Sequence, residues 1–461
     1  MTCASQSSGP TTSASIRANR NGPFERPQSG LLLDALYPLD EKVPGLRRVP
    51  LSWRRVTRRT LTAAAVRAHL ARCRGVRAVG ITGSRGKTTT KELLAAMLAT
   101  EGRTLKTRKN DNGLYGVPAT LLAIRPGDRF AVVEAGVFYM PGEMRWMAGL
   151  FSPEVAILTG VGEDHITYYG SRARVAAEKR ALLERVGEGG TVVVNADDDC
   201  ALRTAEGLRA KLVTAGFADS ADVRVASVEP RWPEGIRISL DVGGRTLESD
   251  VRLFGTHLAT AVALAVAAAA ACGIDPSRAL RAVRSFQPPD GRLRPAPGPG
   301  GATWLLDDFK SRTATQSAAI RALADVPARR RIAVLGEVQE SDLEAGWRAA
   351  AELLPGRADT VIAVGRHADV LAAELGGTPL EHSARAVETF QEATAALRAE
   401  ELRSGDVVLL QGATRQHLRR IKLLLEKGSV GCRVKRCSLH LLCNECPYLE
   451  AGPPESVVEA R

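Results

Sequence analysis

The stretch Gly80-Ile-Thr-Gly83-Ser-Arg-Gly86-Lys87-Thr88-Thr89 decides how the fold of this chain is interpreted. An apolar run before it predicts a β-strand, and the pattern after it predicts a helix, so the glycines lie at a strand-to-helix turn. At such a turn, backbone N–H groups and the positive end of the helix can bind phosphate oxygens. The common phosphate-loop pattern has glycine where this chain has Ile81, so the loop is a variant. We predict that it binds a nucleotide through Gly83, Ser84, Gly86, Lys87, Thr88 and Thr89.

Strand-like and helix-like runs alternate along most of the chain, which predicts parallel sheets flanked by helices. Apolar runs at 130–134, 155–159 and 191–195 are typical of strands. A second alternating set begins after a Pro/Gly-rich run at 288–301, which is typical of an interdomain linker. The predicted fold class is therefore α/β, with a P-loop central domain containing a parallel sheet and a smaller Rossmann-like α/β C-terminal domain. The predicted segments are a disordered tail 1–30, a basic N-terminal segment 31–75, a central ATP-binding domain 76–290, a C-terminal domain 291–428 and a Cys-rich tail 429–461.

Composition limits the class of protein. The chain has 461 residues with 44% hydrophobic residues, which excludes a wholly disordered protein. Its formal net charge is +12, but arginine supplies most of the excess, and much of it lies in the two ends of the chain. The phosphates of a bound nucleotide would themselves account for basic residues, so we do not expect nucleic acid as a partner.

The most apolar stretch runs from Leu258 to Ile274 and is dominated by alanine. Alanine gains little from entering lipid, so a core helix packed against a sheet is the favoured interpretation over a membrane span. The N-terminus has no apolar run typical of a secretory signal. We therefore predict a cytoplasmic protein without a membrane segment.

With these motifs in hand, the sequence resembles the Mur ligase family, most closely its branch that joins D-Ala-D-Ala to a muramoyl tripeptide. The resemblance runs from about residue 77 to about residue 426. Besides the phosphate loop, it is carried by Asn110-Asp-Asn112 with Gly116-Val-Pro118, Val133-Glu134-Ala-Gly136, Pro141-Gly-Glu143, Thr159 to His165, Ala177-Glu-Lys179, Asn195 to Asp198, Gly255-Thr-His257, Gly291-Arg292-Leu293, Asp307-Asp308 and Gly405-Asp406.

The resemblance implies a reaction and its site residues. In this family ATP phosphorylates a substrate carboxylate, and an amine then attacks the acyl phosphate to form an amide; ATP and Mg²⁺ are the implied cofactors. It implies that Thr88 and Glu134 bind a first Mg²⁺, and that His165 and a carbamylated Lys179 bind a second. Lys87, Lys179, His165 and Arg292 are the implied catalytic residues, with Arg292 at the γ-phosphate. Asn112 is implied in nucleotide binding, and Asp308, or alternatively Asp307, in holding the ribose.

Several positions depart from the family pattern. Gly113 and Gly160 replace asparagines, Leu258 and Ala261 stand where two more are usual, and a changed loop, Phe309 to Thr313, follows Asp308. Residues 1–75 carry no motif of the family's UDP-sugar-binding domain. These differences predict a ligase for another carboxylate and another amine, not UDP-linked, in specialised metabolism.

Two alternatives to a self-sufficient ligase stay open. One is a ligase subunit that depends on an amidotransferase partner, and the other is a non-catalytic nucleotide-binding protein whose ends bind nucleic acid. The expected partners of the leading interpretation are a small-molecule carboxylate and an amine, together with a protein partner through the N- or C-terminal extension.

Four of the eight cysteines crowd together near the C-terminus as Cys432, Cys437, Cys443 and Cys446. Four thiolates at this spacing suit a tetrahedral Zn²⁺ site, in which His440 could replace one sulfur. An iron–sulfur cluster takes the same ligands, and a tail without metal is the third interpretation.

Overall fold

The protein is described here from a computed structural model, which covers residues 51–137, 140–163, 166–339, 342–439 and 441–452. Within them, strands β1 to β9 form one sheet in the order β2-β3-β1-β4-β5-β6-β7-β8-β9. These strands are Arg77–Thr82, Thr104–Lys106, Phe130–Glu134, Val155–Leu158, Thr191–Asn195, Lys211–Gly216, Val223–Arg231, Gly235–Val242 and Arg245–Val251.

The second sheet consists of β10 to β15 in the order β10-β11-β15-β12-β13-β14. Its strands are Arg294–Pro297, Thr303–Asp307, Arg330–Gly336, Thr360–Val364, Ala384–Val387 and Asp406–Gln411. All pairs are parallel except β10 with β11. The two parallel-rich sheets confirm the predicted α/β fold class.

Helices cover both faces of each sheet. Between residues 51 and 282, helices α1 to α9 are Leu51–Leu70, Lys87–Leu98, Gly116–Leu122, Glu143–Ala148, Ile166–Tyr169, Arg172–Leu183, Asp199–Ala205, Ala259–Ala271 and Pro276–Ala282. Between residues 313 and 427, helices α10 to α14 are Thr313–Ala324, Leu343–Leu353, Ala368–Glu374, Phe390–Ala399 and Arg419–Lys427.

The alanine-rich helix α8 lies in the core of the first sheet, as predicted. Its side chains pack with those of α2 and with strands β5 to β7, and the apolar core on this face includes Leu94, Val193 and Leu264. Small side chains allow the helix to approach the sheet closely. None of the helices in the described ranges is both long enough and apolar enough to cross a membrane.

Strand β1 lies between β3 and β4, at the point where the order of the first sheet reverses. After β1 the chain forms β2 and β3 on one side, and then crosses to β4 on the other. Loops at the carboxyl ends of such neighbouring strands diverge and leave a crevice, the usual ligand site of open α/β sheets. The phosphate loop follows β1 directly and therefore lies at this crevice.

Two regions differ from their sequence interpretation. The Pro/Gly-rich run at 288–301 contains β10, an edge strand antiparallel to β11, rather than only a linker; proline is tolerated in an edge strand because one side of that strand needs no hydrogen bonds. Strands β7, β8 and β9 form an antiparallel extension that the alternation of helices and strands did not predict.

Helix α1 belongs to the predicted N-terminal segment but packs on the first domain. Val66 is fully buried in the same apolar core as α3 and α6. The His69 ring lies 2.8 Å from the Ile124 carbonyl oxygen through Nε2, and Arg58 Nη2 donates to the Tyr115 hydroxyl at 2.7 Å. The described part of the segment is therefore integrated into this domain, while residues 1–50 lie outside the described ones.

Candidate active site

The loop between β1 and α2 has the geometry of a phosphate cradle. Gly83 has φ +145° and Gly86 φ +79°, and a Cβ added at Gly83 would lie 2.0 Å from Thr159 Oγ1. Glycine is therefore required at Gly83 both for its backbone angle and for its space. Ser84 N donates to the Gly160 carbonyl at 2.9 Å, which ties the loop to the end of β4. Helix α2 starts at Lys87, so its positive end faces this loop.

Lys87 folds back across the loop that precedes it. Its Nζ donates to the Gly83 carbonyl at 2.6 Å and to the Ser84 carbonyl at 3.3 Å. These contacts hold the ammonium group at the rim of the cradle. A phosphate oxygen placed in the cradle would find a lysine charge already positioned there.

Glu134, at the end of β3, is the buried acid of the site. It is completely buried, and the Thr88 hydroxyl donates to its two oxygens at 3.1 and 3.2 Å. Asn112 Nδ2 donates to Glu134 Oε1 at 2.5 Å. The arrangement brings together three residues that the sequence pattern separates by up to 46 positions.

The same group fits the implied Mg²⁺. Carboxylate, hydroxyl and amide oxygens are the ligands that this hard cation prefers. Within the described residues Asn112 Oδ1 is buried without a hydrogen-bond partner, so an oxygen acceptor beside Glu134 is available. Thr88, Glu134 and Asn112 could therefore hold the ion next to the phosphate cradle.

Lys91 is a site residue that sequence reasoning missed. It is fully buried, and its Nζ lies 3.4 Å from Glu134 Oε2 and 3.1 Å from Glu92 Oε1. It also donates to the Lys109 carbonyl. Lys91 lies one helical turn after Lys87, and this spacing was the available signal, since residues four apart share a helix face.

Of the two residues implied in a second metal site, only Lys179 lies in the described part of the chain. It is on α6 and is 1% exposed. The preceding Glu178 accepts from Gly142 N at 3.0 Å and Met144 N at 2.8 Å, which fixes the turn before α4. His165 lies outside the described residues, so their pairing stays a prediction.

Arg292, in the second domain, carries a charge that Glu134 of the first domain affects. Its guanidinium carbon lies 4.9 Å from the centre of the Phe309 ring. Burial lowers the pKa of Arg292, whereas the charges of Asp307 and Glu134 raise it. The charge of Glu134, the buried acid of the first domain, thus acts on Arg292. The implied role of Arg292 at the γ-phosphate stays a prediction.

Asp307 ends β11, Asp308 follows it, and the two have different partners. Burial raises the pKa of Asp307 to about 8, against the opposing effect of Arg292, and Asp307 Oδ1 accepts from Leu293 N at 3.3 Å. Asp308 is 2% exposed, and Arg419 binds both its oxygens, Nε to Oδ2 at 2.9 Å and Nη2 to Oδ1 at 2.6 Å. A ribose hydroxyl would have to compete with this pair, so the implied role of Asp308 stays a prediction.

Arg419 was also missed from the sequence. It begins α14 and its side chain also contacts Asp290, Nη1 to Oδ1 at 3.0 Å. Burial by itself would raise the pKa of Asp290, but the hydrogen bonds and charge of Arg419 lower it. Arg419 thus joins the loop after β11 to the segment that enters the second domain. The partners are 111 and 129 positions away, and no local pattern signals them.

The Cys-rich tail lies at the junction of the two domains. Glu445 pairs with Lys109 at 2.6 Å, and Asn444 Nδ2 donates to Asp290 Oδ2 at 3.2 Å. In the described ranges no group of three or more His, Cys, Asp and Glu side chains is arranged closely enough to hold a metal ion as placed. His440 lies outside those ranges.

Comparison with known proteins gives the family. The family described as Mur ligase middle domain matches residues 81–269, and the one described as Mur ligase, glutamate ligase domain, matches residues 291–414. The chain belongs to the Mur ligase family. The two matches fall on the first and second sheets, respectively.

Relatives and solved structures agree with this assignment. The chain is 33% identical over 264 residues to a UDP-N-acetylmuramoyl-tripeptide–D-alanyl-D-alanine ligase of Synechocystis, covering 57% of this chain and 55% of the relative. It is 29% identical to the enzyme of that name from Bacillus subtilis, over 75% of each chain. The match thus spans little more than half the length of the Synechocystis relative. A crystal structure of MurF from Acinetobacter baumannii is similar in fold, with a TM-score of 0.73, 23% identity and coverage of 80% of this chain and 81% of that one.

Proposed function

We propose that this protein is an ATP-dependent carboxylate–amine ligase. The γ-phosphoryl group of ATP passes to a substrate carboxylate to give an acyl phosphate and ADP. An amine then attacks the carbonyl carbon, and the C–O bond to phosphate breaks, giving an amide and inorganic phosphate. The observation that carries the proposal is the buried Glu134, which accepts a hydrogen bond from Thr88 beside the phosphate cradle.

ATP and Mg²⁺ are the proposed cofactors of this reaction. Backbone N–H groups of residues 83–89 and the Lys87 ammonium group would bind the β- and γ-phosphates. Thr88 and Glu134, with Asn112 beside them, would hold Mg²⁺, which neutralises phosphate charge during transfer. Lys91 would balance Glu134 when the ion leaves, because it already lies 3.4 Å from that carboxylate.

The second domain supplies the remaining charge. Arg292 would approach the γ-phosphoryl group across the domain junction and stabilise the negative charge that spreads over its oxygens. Lys179 and His165 are proposed for a second Mg²⁺, with Lys179 as a carbamate. Its place in the family motif Ala177-Glu-Lys179 and its burial on α6 support this proposal.

The two substrates are proposed by chemical class only. We infer a carboxylate that is not UDP-linked and an amine other than D-Ala-D-Ala, in specialised metabolism. The altered loop at 309–313 and the glycines at 113 and 160 support this inference, since they replace side chains at family motif positions. The names of the relatives point instead to UDP-N-acetylmuramoyl-tripeptide with D-Ala-D-Ala, so this pair is the first to test.

A cytoplasmic location is part of the proposal, because ATP is supplied there. The proposed partners are the two small-molecule substrates. Contacts of the tail with Lys109 and Asp290 favour an intramolecular role for the C-terminal extension, and a protein partner through either extension remains a proposal. The cysteines of the tail have no role in this reaction, because phosphoryl transfer does not use thiolates, and a metal bound by them would serve another purpose.

A screen of ADP release tests the function. The full chain is incubated with ATP, Mg²⁺ and pairs of carboxylates and amines, with the UDP-linked tripeptide and D-Ala-D-Ala as one pair. We expect ADP formation that requires both substrates, and its loss in Lys87→Ala. Ordinary turnover with the UDP-linked pair would refute the substrate inference alone. ATP binding without carboxylate-dependent ADP release across the screen would refute the ligase proposal.

A further inference from the structure

The four cysteines of the C-terminal tail converge on one cavity. Cys432, Cys437, Cys443 and Cys446 line it together with His417, Arg420, Leu439 and Leu449. Cys432, Cys437 and Cys443 are buried, and none of the four forms a disulfide. The sequence interpretation left zinc, an iron–sulfur cluster and an empty tail open, and the position of the four thiols in one cavity distinguishes among them.

We propose that this cavity binds a single thiophilic divalent ion, Zn²⁺ in the cell, through the sulfurs of Cys432, Cys437, Cys443 and Cys446. Four thiolates in tetrahedral geometry are a common structural zinc site, and the spacing of Cys443 and Cys446 is that of a standard half-site. The backbone already turns between these two residues, because Cys446 N donates to the Cys443 carbonyl at 3.2 Å.

The size of the cavity favours one ion over a cluster. Its volume is about 10 Å³, close to the space taken by one water-sized sphere. A four-iron cube would require the surrounding chain to move apart. A single ion requires the opposite movement, since no three of the thiols are yet arranged to hold a metal. Loops and one short 3₁₀ turn, Cys443–Glu445, carry the sulfurs, so no long helix or strand has to move for them to close around an ion.

The tail has few other means of staying folded. Cysteines make up half of its two small apolar clusters: Val430, Cys432, Cys443 and Leu449 form one, and Cys437 and Leu439 form the other. A metal ion is a usual means of fixing a short segment with so little apolar surface of its own.

Charged neighbours suit a tetrathiolate. Four thiolates around Zn²⁺ leave a net charge of about −2. Arg420 Nη1 lies 3.5 Å from Cys432 Sγ, and its guanidinium carbon lies 4.0 Å from the centre of the Phe390 ring. His417 Nδ1 lies 3.1 Å from Cys443 Sγ. Arg420 would offset the charge, and both side chains, which are buried, would orient the sulfurs from outside the ligand set.

The site lies where it can act on the domain junction. Asn444 and Glu445 stand between two of the proposed ligands and contact Asp290 and Lys109, respectively. Asp290 precedes Gly291 and Arg292, the entry to the second domain. An ion that fixes the turn at Cys443–Glu445 would therefore hold this entry in place.

Metal analysis of the purified full chain tests the proposal without reference to any substrate. We expect about one zinc per chain, with little iron and no acid-labile sulfide. Cys443→Ser and Cys446→Ser should each lose most of the zinc. Cys200→Ser is the matched control, since Cys200 is a free thiol of the first domain, on α7, and should keep the full content.

Replacement of zinc by Co²⁺ keeps the test decisive if the serine variants fail to fold. The wild-type chain should then show the intense thiolate-to-cobalt absorption of a tetrahedral four-sulfur site. Absence of bound metal in the wild type, iron with sulfide in place of zinc, or full zinc content in both serine variants would each overturn the proposal. A failure of ligase activity would leave these readouts unchanged, so the two proposals fail separately.

Discussion

Replacement of Arg419 by methionine should strongly lower the folding stability of the second domain. The Asp308 side chain is 1% exposed and that of Arg419 is 5% exposed. Methionine would fill much of the space but would leave Asp308 without the two donors at 2.9 and 2.6 Å. Breaking a buried pair from one side costs about 3–5 kcal/mol, because an uncompensated charge stays inside. Asp290, with a side chain 25% exposed, can recover water and adds little.

Hydrogen exchange of the amides in β11 and β15 measures this loss locally. At about 1.4 kcal/mol for each factor of ten, exchange through domain opening should accelerate by roughly 10²- to 10³-fold. The double variant Asp308→Asn/Arg419→Met removes both charges and should recover most of the protection. Asp290→Asn alone should change exchange by less than about tenfold. The reasoning is refuted if Arg419→Met leaves exchange of β11 unchanged, or if the double variant is as unprotected as the single one.

Three further changes test other parts of the structure. Asp307→Asn should stabilise the second domain increasingly as the pH rises from about 4 to about 8, because the folded-state pKa of Asp307, raised from 3.8 to about 8, lies above the unfolded value and deprotonation therefore favours unfolding. The urea midpoints of both proteins across this pH range measure the effect, and a difference that does not change with pH would contradict it. Gly83→Ala places a methyl group 2.0 Å from Thr159 Oγ1 and should weaken ATP binding at least about tenfold. The control Gly187→Ala, with open space around the new methyl group, should bind ATP as the wild type does, and calorimetric titration with ATP compares the two. Glu445→Gln removes the 2.6 Å pair with Lys109 and should cost under about 1 kcal/mol of stability, since the two side chains are 43% and 46% exposed. Urea unfolding of this variant checks the value, and a loss of several kcal/mol would show that this pair is the main anchor of the tail.

Local signals account for the parts of the fold that were predicted. The runs at 130–134 and 191–195 coincide with β3 and β5 residue for residue, because continuous apolar segments bounded by polar ones are typical of buried parallel strands. The strand, glycine turn and helix around Gly83 were equally readable. By contrast, β7 to β9 are half-exposed antiparallel strands with many charged residues, and their pairing depends on register that no local pattern states.

The candidate site likewise contains residues that motifs predict and residues that only the folded structure brings together. Thr88 and Glu134 stand in separate motifs, and a hydrogen bond joins them in the structure, while their roles in catalysis stay predictions. Arg419 and its acceptors come together only through folding, since more than a hundred residues separate them. The four cysteines were recognisable as a group, whereas their common cavity with His417 and Arg420 depends on how α14 packs against the tail.

The central claim, carboxylate activation by phosphoryl transfer, is tested most directly by the fate of the carboxylate oxygens. The substrate pair found in the screen is supplied with ¹⁸O in its carboxylate, and the inorganic phosphate released is analysed by mass spectrometry. An acyl phosphate places one carboxylate oxygen in the phosphate, so we predict one ¹⁸O per phosphate in the wild type. Glu134→Gln, which weakens the proposed metal site, should form labelled phosphate at least about a hundredfold more slowly. Amide formation with unlabelled phosphate, or with AMP and pyrophosphate as products, would contradict the account.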